Sequence, residues 1–298
     1  MQIRTVLGDM EIPAGVSALA HEHICNYSEW VYQMDPTYLD KTAIADAAVQ
    51  ELAWLREKHG LGLFLDCTPV NIGRDVGLLR EVARRSGIAI VCSTGFYYQE
   101  EPMLYETSAE KLAAYMVRDA ANIHAGLIKA GVEAETLSPF VEKLLYATAM
   151  AQKELHLPIV LHTNARNRNG EKAVQQLLRE GVSPTAITVG HLSDTEDMAY
   201  IGSFAEMGCY VGLDRLYGSM DEGYIRDKVG QIQWLCDHGY ADRVLLSHDD
   251  ALFNGFAPNP HLKETRFAYV FAQILPRIDK ALAIRLTQEN PQRMLCCK

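Results

Sequence analysis

The chain has 298 residues, 48% of them hydrophobic and 22% charged, with a formal net charge of −10 at pH 7. That length holds one large domain or two ordinary ones, and the balance is that of a soluble globular protein. The acidic excess argues against a nucleic-acid partner or an anionic membrane surface, and no run of about twenty apolar residues exists to cross a bilayer.

The opening "MQIRTVLGDMEIPAG" lacks a basic segment followed by an apolar core, so no secretory signal is expected. After it, short runs rich in Val, Ile and Leu recur in order: "SALAHEH", "LGLFLDCT", "IAIVCSTG", "AGLIKAG", "PIVLHTN", "AITVGH", "CYVGLD" and "RVLLSHD". Helical periodicity fills most of the gaps, as in "KTAIADAAVQELAWLREKHG", which stops at His59-Gly60, and "SPFVEKLLYATAMAQKELH". Near-continuous apolar strands alternating with helices predict a parallel sheet covered on its outer face. Eight of them in this length predict an α/β fold, a (β/α)8 barrel. No Pro- or Ser-rich linker divides residues 1–298, which read as one domain. Cys25, Cys67, Cys92, Cys209, Cys236, Cys296 and Cys297 are scattered without a CxxC pair. They read as reduced structural thiols in a cytoplasm.

A barrel places its chemistry at the C-terminal ends of its strands. There the sequence puts His21 and His23, then Lys129, His162, His191, Asp214-Arg215 and His248-Asp249-Asp250. His21 and His23 are two apart, so in a strand they share a face. Each histidine alone reads most simply as a hydrogen-bonded core residue. Four histidines and an aspartate together make a nitrogen and oxygen set suited to zinc, manganese, cobalt or iron. Lys129, inside an apolar run, has two readings. It is a lysine snorkelling to water, or a desolvated amine able to take up carbon dioxide as an anionic, bridging carbamate.

These residues resemble the phosphotriesterase family of the amidohydrolase superfamily. The resemblance is carried in order by "AHEHI", "DCTPVNIGRDVGLLREVA", "STGFYYQEEP", "AGLIKAGV", "PIVLHTNARNRNGEKA", "VGHLSDTEDMAYI", "GLDR", "VLLSHD" and "NPQRML". It implies a distorted (β/α)8 barrel with two divalent metal ions, zinc first among them. By position, His21, His23 and Asp249 would bind the more buried ion and His162 and His191 the more exposed one. Carboxylated Lys129 would bridge both, along with a hydroxide, and Asp249 would shuttle the proton; Asp250 is the reserve. The family's members also form homodimers in many cases.

The resemblance implies a hydrolase acting on a small molecule, and the loops must set which one. Arg215 and the pair Tyr97 and Tyr98 look like features of the family's lactonases. Lys263 and Arg266 read either as a clamp for a phosphate or carboxylate or as a solvated helical turn. Phe253 and Phe256 could line an acyl pocket, and Arg74 reads as a salt bridge to Asp75. The expected activity is a lactonase on sugar lactones, phosphorylated ones included. The alternatives are an acyl-homoserine lactonase or phosphotriesterase, an amidase on a small N-acyl compound, and a barrel kept only for binding.

Overall fold

The computed structural model describes residues 2–257, 261–262 and 265–296. It opens with a hairpin of β1 (Gln2–Thr5) and β2 (Gly8–Glu11), whose residues are too polar and exposed for an apolar-run reading to find. The barrel follows as β3 (Ser17–Asn26), β4 (Leu61–Asp66), β5 (Ala89–Gly95), β6 (Leu127–Gly131), β7 (Ile159–His162), β8 (Ile187–Val189), β9 (Tyr210–Leu213), β10 (Val244–Leu246) and β11 (Ala251–Asn254). Every neighbouring pair in this sheet is parallel, in the order β10-β9-β8-β7-β6-β5-β4-β3-β11. This is the expected distorted (β/α)8 barrel.

The distortion lies at the closing seam. The eighth barrel strand is two short pieces, β10 against β9 and β11 against β3, with Ser247–Asp250 between them. Asp249 N–H donates to His21 O at 3.0 Å and His23 N–H to Asp250 O at 2.9 Å, so the seam is closed across the gap.

Two apolar layers hold the barrel. Inside it, small and branched residues such as Ala20, Leu63, Leu65, Val91, Val160 and Leu245 pack together. A larger layer lies between the sheet and the helices. Each fully buried aliphatic side chain contributes about 1.5–3 kcal/mol by leaving water. The helix Lys41–His59 shows how the local sequence sets an element's ends. Asp40 accepts from Ala43 N–H at its start, and Gly60 stops it at φ 67°, a left-handed backbone glycine adopts without steric cost. Among the described residues no helix is long and apolar enough to cross a membrane.

Candidate metal centre

Strict alternation along β3 would send Ala20 and His21 to opposite faces. The pairing with β4 slips between Leu19 and Glu22, so three steps on β3 match two on β4. That extra residue is a bulge, which re-aims the side chains beyond it. Ala18 and Ala20 therefore face the barrel interior below, and His21 and His23 face it above, both buried. Glu22 turns to the other side. His191 and Asp249 also join the cluster through unusual backbone, with φ of 64° and 51°. A non-glycine residue there costs about 1–3 kcal/mol, and such strain gathers at functional sites.

The hydrogen bonds on the remote ring nitrogens fix the histidine tautomers. His21 Nδ1 donates to Asp214 Oδ2 at 2.6 Å. His191 gives both its backbone N–H (2.6 Å) and its Nδ1 (3.0 Å) to Asp214 Oδ1. His162 Nε2 donates to Glu133 Oε2 at 2.9 Å, and His23 Nδ1 to Thr68 Oγ1 at 2.8 Å. The carboxylate partners thereby leave His21, His191 and His162 each with a bare lone pair on the nitrogen facing the cluster. Burial lowers the pKa of His21 to about 4 and of His191 to about 3, and lowers that of His162 too. These three rings are neutral at pH 7.

Bare acceptors then face each other. His191 Nε2 lies 2.6 Å from His162 Nδ1. Two lone pairs at hydrogen-bond distance with no proton between them repel, and a cation placed among them removes the conflict. Donor atoms of His21, His191 and Asp249 lie within 4.8 Å of one another. The donor set, imidazole nitrogen with carboxylate oxygen, suits zinc and its neighbours. The residues present fit a divalent metal.

Lys129 does not snorkel. It is 1% exposed on β6, and its Nζ lies 2.5 Å from His21 Nε2. Burial pushes its pKa down. The charges opposite it are carboxylates: burial alone would raise Asp214 and Asp249, but the imidazoles around them, with Arg215 beside Asp249, hold both well below the usual carboxylate range. Arg215 donates from Nε to Asp249 Oδ2 (2.9 Å) and from Nη1 to Asp194 Oδ2 (2.7 Å).

Tyr97 and Tyr98 both border His162. The Tyr97 hydroxyl lies 3.3 Å from His162 Nδ1, and the Tyr98 ring centroid 5.4 Å from that of His162. Burial raises the Tyr97 pKa, so its phenol stays protonated. Arg266 is exposed and lies over the Tyr217 ring, 4.6 Å from its centroid. Lys263 lies outside the described residues.

Three sequence readings need correction. Asp250 is no reserve for Asp249: its carboxylate accepts from Ala251 N–H and Arg266 N–H instead. Phe253 is 4% exposed and packs edge-on against Tyr38 in the layer outside the sheet, while Phe256, 48% exposed, lines a cavity of about 330 Å3 with Trp30 and Phe96. Arg74 pairs with Asp119 in a bidentate bridge, and Asp75 pairs with Lys41. The sequence reading places Asp214 at a strand end without a role and does not find Glu133 or Thr68; all three hold the rings. The one available signal was Asp214 at a strand end beside Arg215.

The barrel and its cluster are those of a known class. The sequence profile of the phosphotriesterase family matches residues 1–296, and the chain belongs to that family. It is 33% identical over 240 residues to an aryldialkylphosphatase of Saccharolobus solfataricus, covering 78% of this chain and 76% of that one. It is 27% identical over 320 residues to a phosphotriesterase homology protein of Mycobacterium tuberculosis, covering 98% and 97%. It is 25% identical over 350 residues to an N-acetyltaurine hydrolase of Xenopus tropicalis, covering 100% and 98%.

Proposed function

We propose that the protein is a binuclear-metal-dependent hydrolase whose substrate is a small lactone, with sugar lactones, phosphorylated or not, placed first. The observation that carries the metal reading is the opposition of bare acceptors, His191 Nε2 to His162 Nδ1. His21, His23, His162, His191 and Asp249 would hold two divalent ions, zinc first, with Lys129 as a carboxylated lysine between them. When bound, the pair supplies Lewis acidity at the substrate carbonyl and ionised water at neutral pH.

The chain's own groups do the rest. Arg215 occupies Asp249 Oδ2, so Oδ1 is the oxygen turned into the cluster. There it can take a proton and return it to the leaving oxygen. Asp214 keeps His21 and His191 in the tautomer that offers a lone pair. The protonated Tyr97 hydroxyl, beside His162, is a donor for the ring oxygen of an opening lactone.

A second reading, an amidase on a small N-acyl compound, draws on the end-to-end similarity to an N-acetyltaurine hydrolase. One panel separates the readings. Zinc- or manganese-loaded protein is offered sugar lactones with and without a terminal phosphate, acyl-homoserine lactones, N-acetyltaurine and a chromogenic phosphotriester. Turnover of lactones at a kcat/KM at least tenfold above the others supports the proposal. Turnover of the amide alone overturns the lactonase reading and leaves the metal site standing.

A further inference from the structure

Glu22 is the residue that "AHEHI" places between two metal-ligand candidates, and nothing in the proposed chemistry uses it. It is fully buried on the outer side of β3, facing the largely apolar layer against the helices. A carboxylate in such a place needs donors, and all of them come from one stretch. Glu22 Oε1 accepts from Ser247 Oγ (2.7 Å), His248 N–H (2.9 Å) and His248 Nδ1 (2.6 Å), and Oε2 accepts from Asp250 N–H (3.1 Å). His248 Nε2 accepts from Val270 N–H, which leaves the ring proton on Nδ1, the side facing Glu22.

These bonds span the gap in the eighth strand. Before the gap β10 pairs with β9 and after it β11 pairs with β3, and within it the N–H groups of His248 and Asp250 go to the Glu22 carboxylate. Asp249 sits between those two residues with its left-handed backbone, and its side chain points the other way, into the cluster. We infer that Glu22 is a positioning residue for Asp249, fixing the backbone on both sides of it and so the direction of its carboxylate. Glutamine cannot do the same work, because its amide nitrogen would meet N–H groups where an acceptor is needed.

This inference rests on the metal reading, and zinc titration of the metal-free full chain tests the two separately. In wild type, two binding events are expected. In Glu22→Gln one of them weakens by about 10–100-fold, the range for partners that orient a metal ligand, and the other is unchanged. In the Asp249→Asn background, Glu22→Gln should cost no further zinc affinity, while still lowering the thermal midpoint. A purely structural role would lower the midpoint in both backgrounds and leave zinc binding to the Glu22→Gln protein as in wild type. That result, or a full second loss of affinity in the double variant, would overturn the inference. Should Glu22→Gln fail to fold, Glu22→Asp, which keeps the acceptor oxygens but draws them back by one methylene, gives the same comparison at smaller amplitude. Wild-type protein that binds no zinc, manganese, cobalt or iron removes the metal reading itself.

Discussion

Arg215 holds Asp249 through Nε at 2.9 Å, and its other arm is bound to Asp194. A guanidinium tied between two carboxylates has little charge left for a substrate anion. Arg215→Ala is therefore expected to lower kcat by about 10–100-fold with KM little changed, because it frees the carboxylate it orients. Steady-state kinetics decide this. A rise in KM alone would restore Arg215 to direct substrate binding.

Asp214 is shared by two rings, with one oxygen for each. Asp214→Asn turns one acceptor into a donor, so one ring must give up its tautomer. Calorimetric titration should show cation affinity reduced by about 10–100-fold. Unchanged affinity would show that the rings are held by packing alone.

Lys129 is the buried amine at the centre of the cluster. Lys129→Ala should lose bound metal and activity together, whereas Lys129→Glu, which keeps an anion there, should retain metal. Elemental analysis with activity on the same samples is the check. A fully active, metal-replete Lys129→Ala protein would rule out a bridging role. An intact-mass increment of one carbon dioxide on the wild type, absent from Lys129→Ala, would identify the carbamate.

Arg74 lies 6% exposed against Asp119, with two contacts of 2.7 and 2.8 Å. Arg74→Ala leaves a partly buried carboxylate unpaired, and a loss of about 3 kcal/mol is expected. At about 2 °C per kcal/mol for a chain of this size, the thermal midpoint should fall by about 6 °C with metal content unchanged. A shift under 1 °C would mean that solvent replaces the pair.

Much of this was legible in the sequence, for a physical reason. Parallel strands buried on both faces are near-continuous apolar runs, so all eight barrel strands stand out, and the polar residues ending them stand out against them. What was not legible depends on contacts between distant residues. Arg74 was matched to its neighbour Asp75 because only sequence distance was visible, yet its partner is 45 residues away. The bulge in β3 leaves no mark in "SALAHEH", and the interrupted eighth strand leaves none in "RVLLSHDD". Asp214 stands out only as a strand-end residue and Glu22 not at all, because burial and the number of donors on a carboxylate belong to the folded chain alone.

The left-handed backbone at His191 and Asp249 carries an evolutionary consequence. Glycine would sit at either position without strain, so His191→Gly and Asp249→Gly relax the fold while deleting a side chain from the cluster. Backbone strain by itself thus favours glycine at both, and the buried contacts of the imidazole and the carboxylate, together with any use for them, oppose that drift. A descendant of this barrel that had abandoned its chemistry would be expected to show glycine at these two positions before any change appeared in its core.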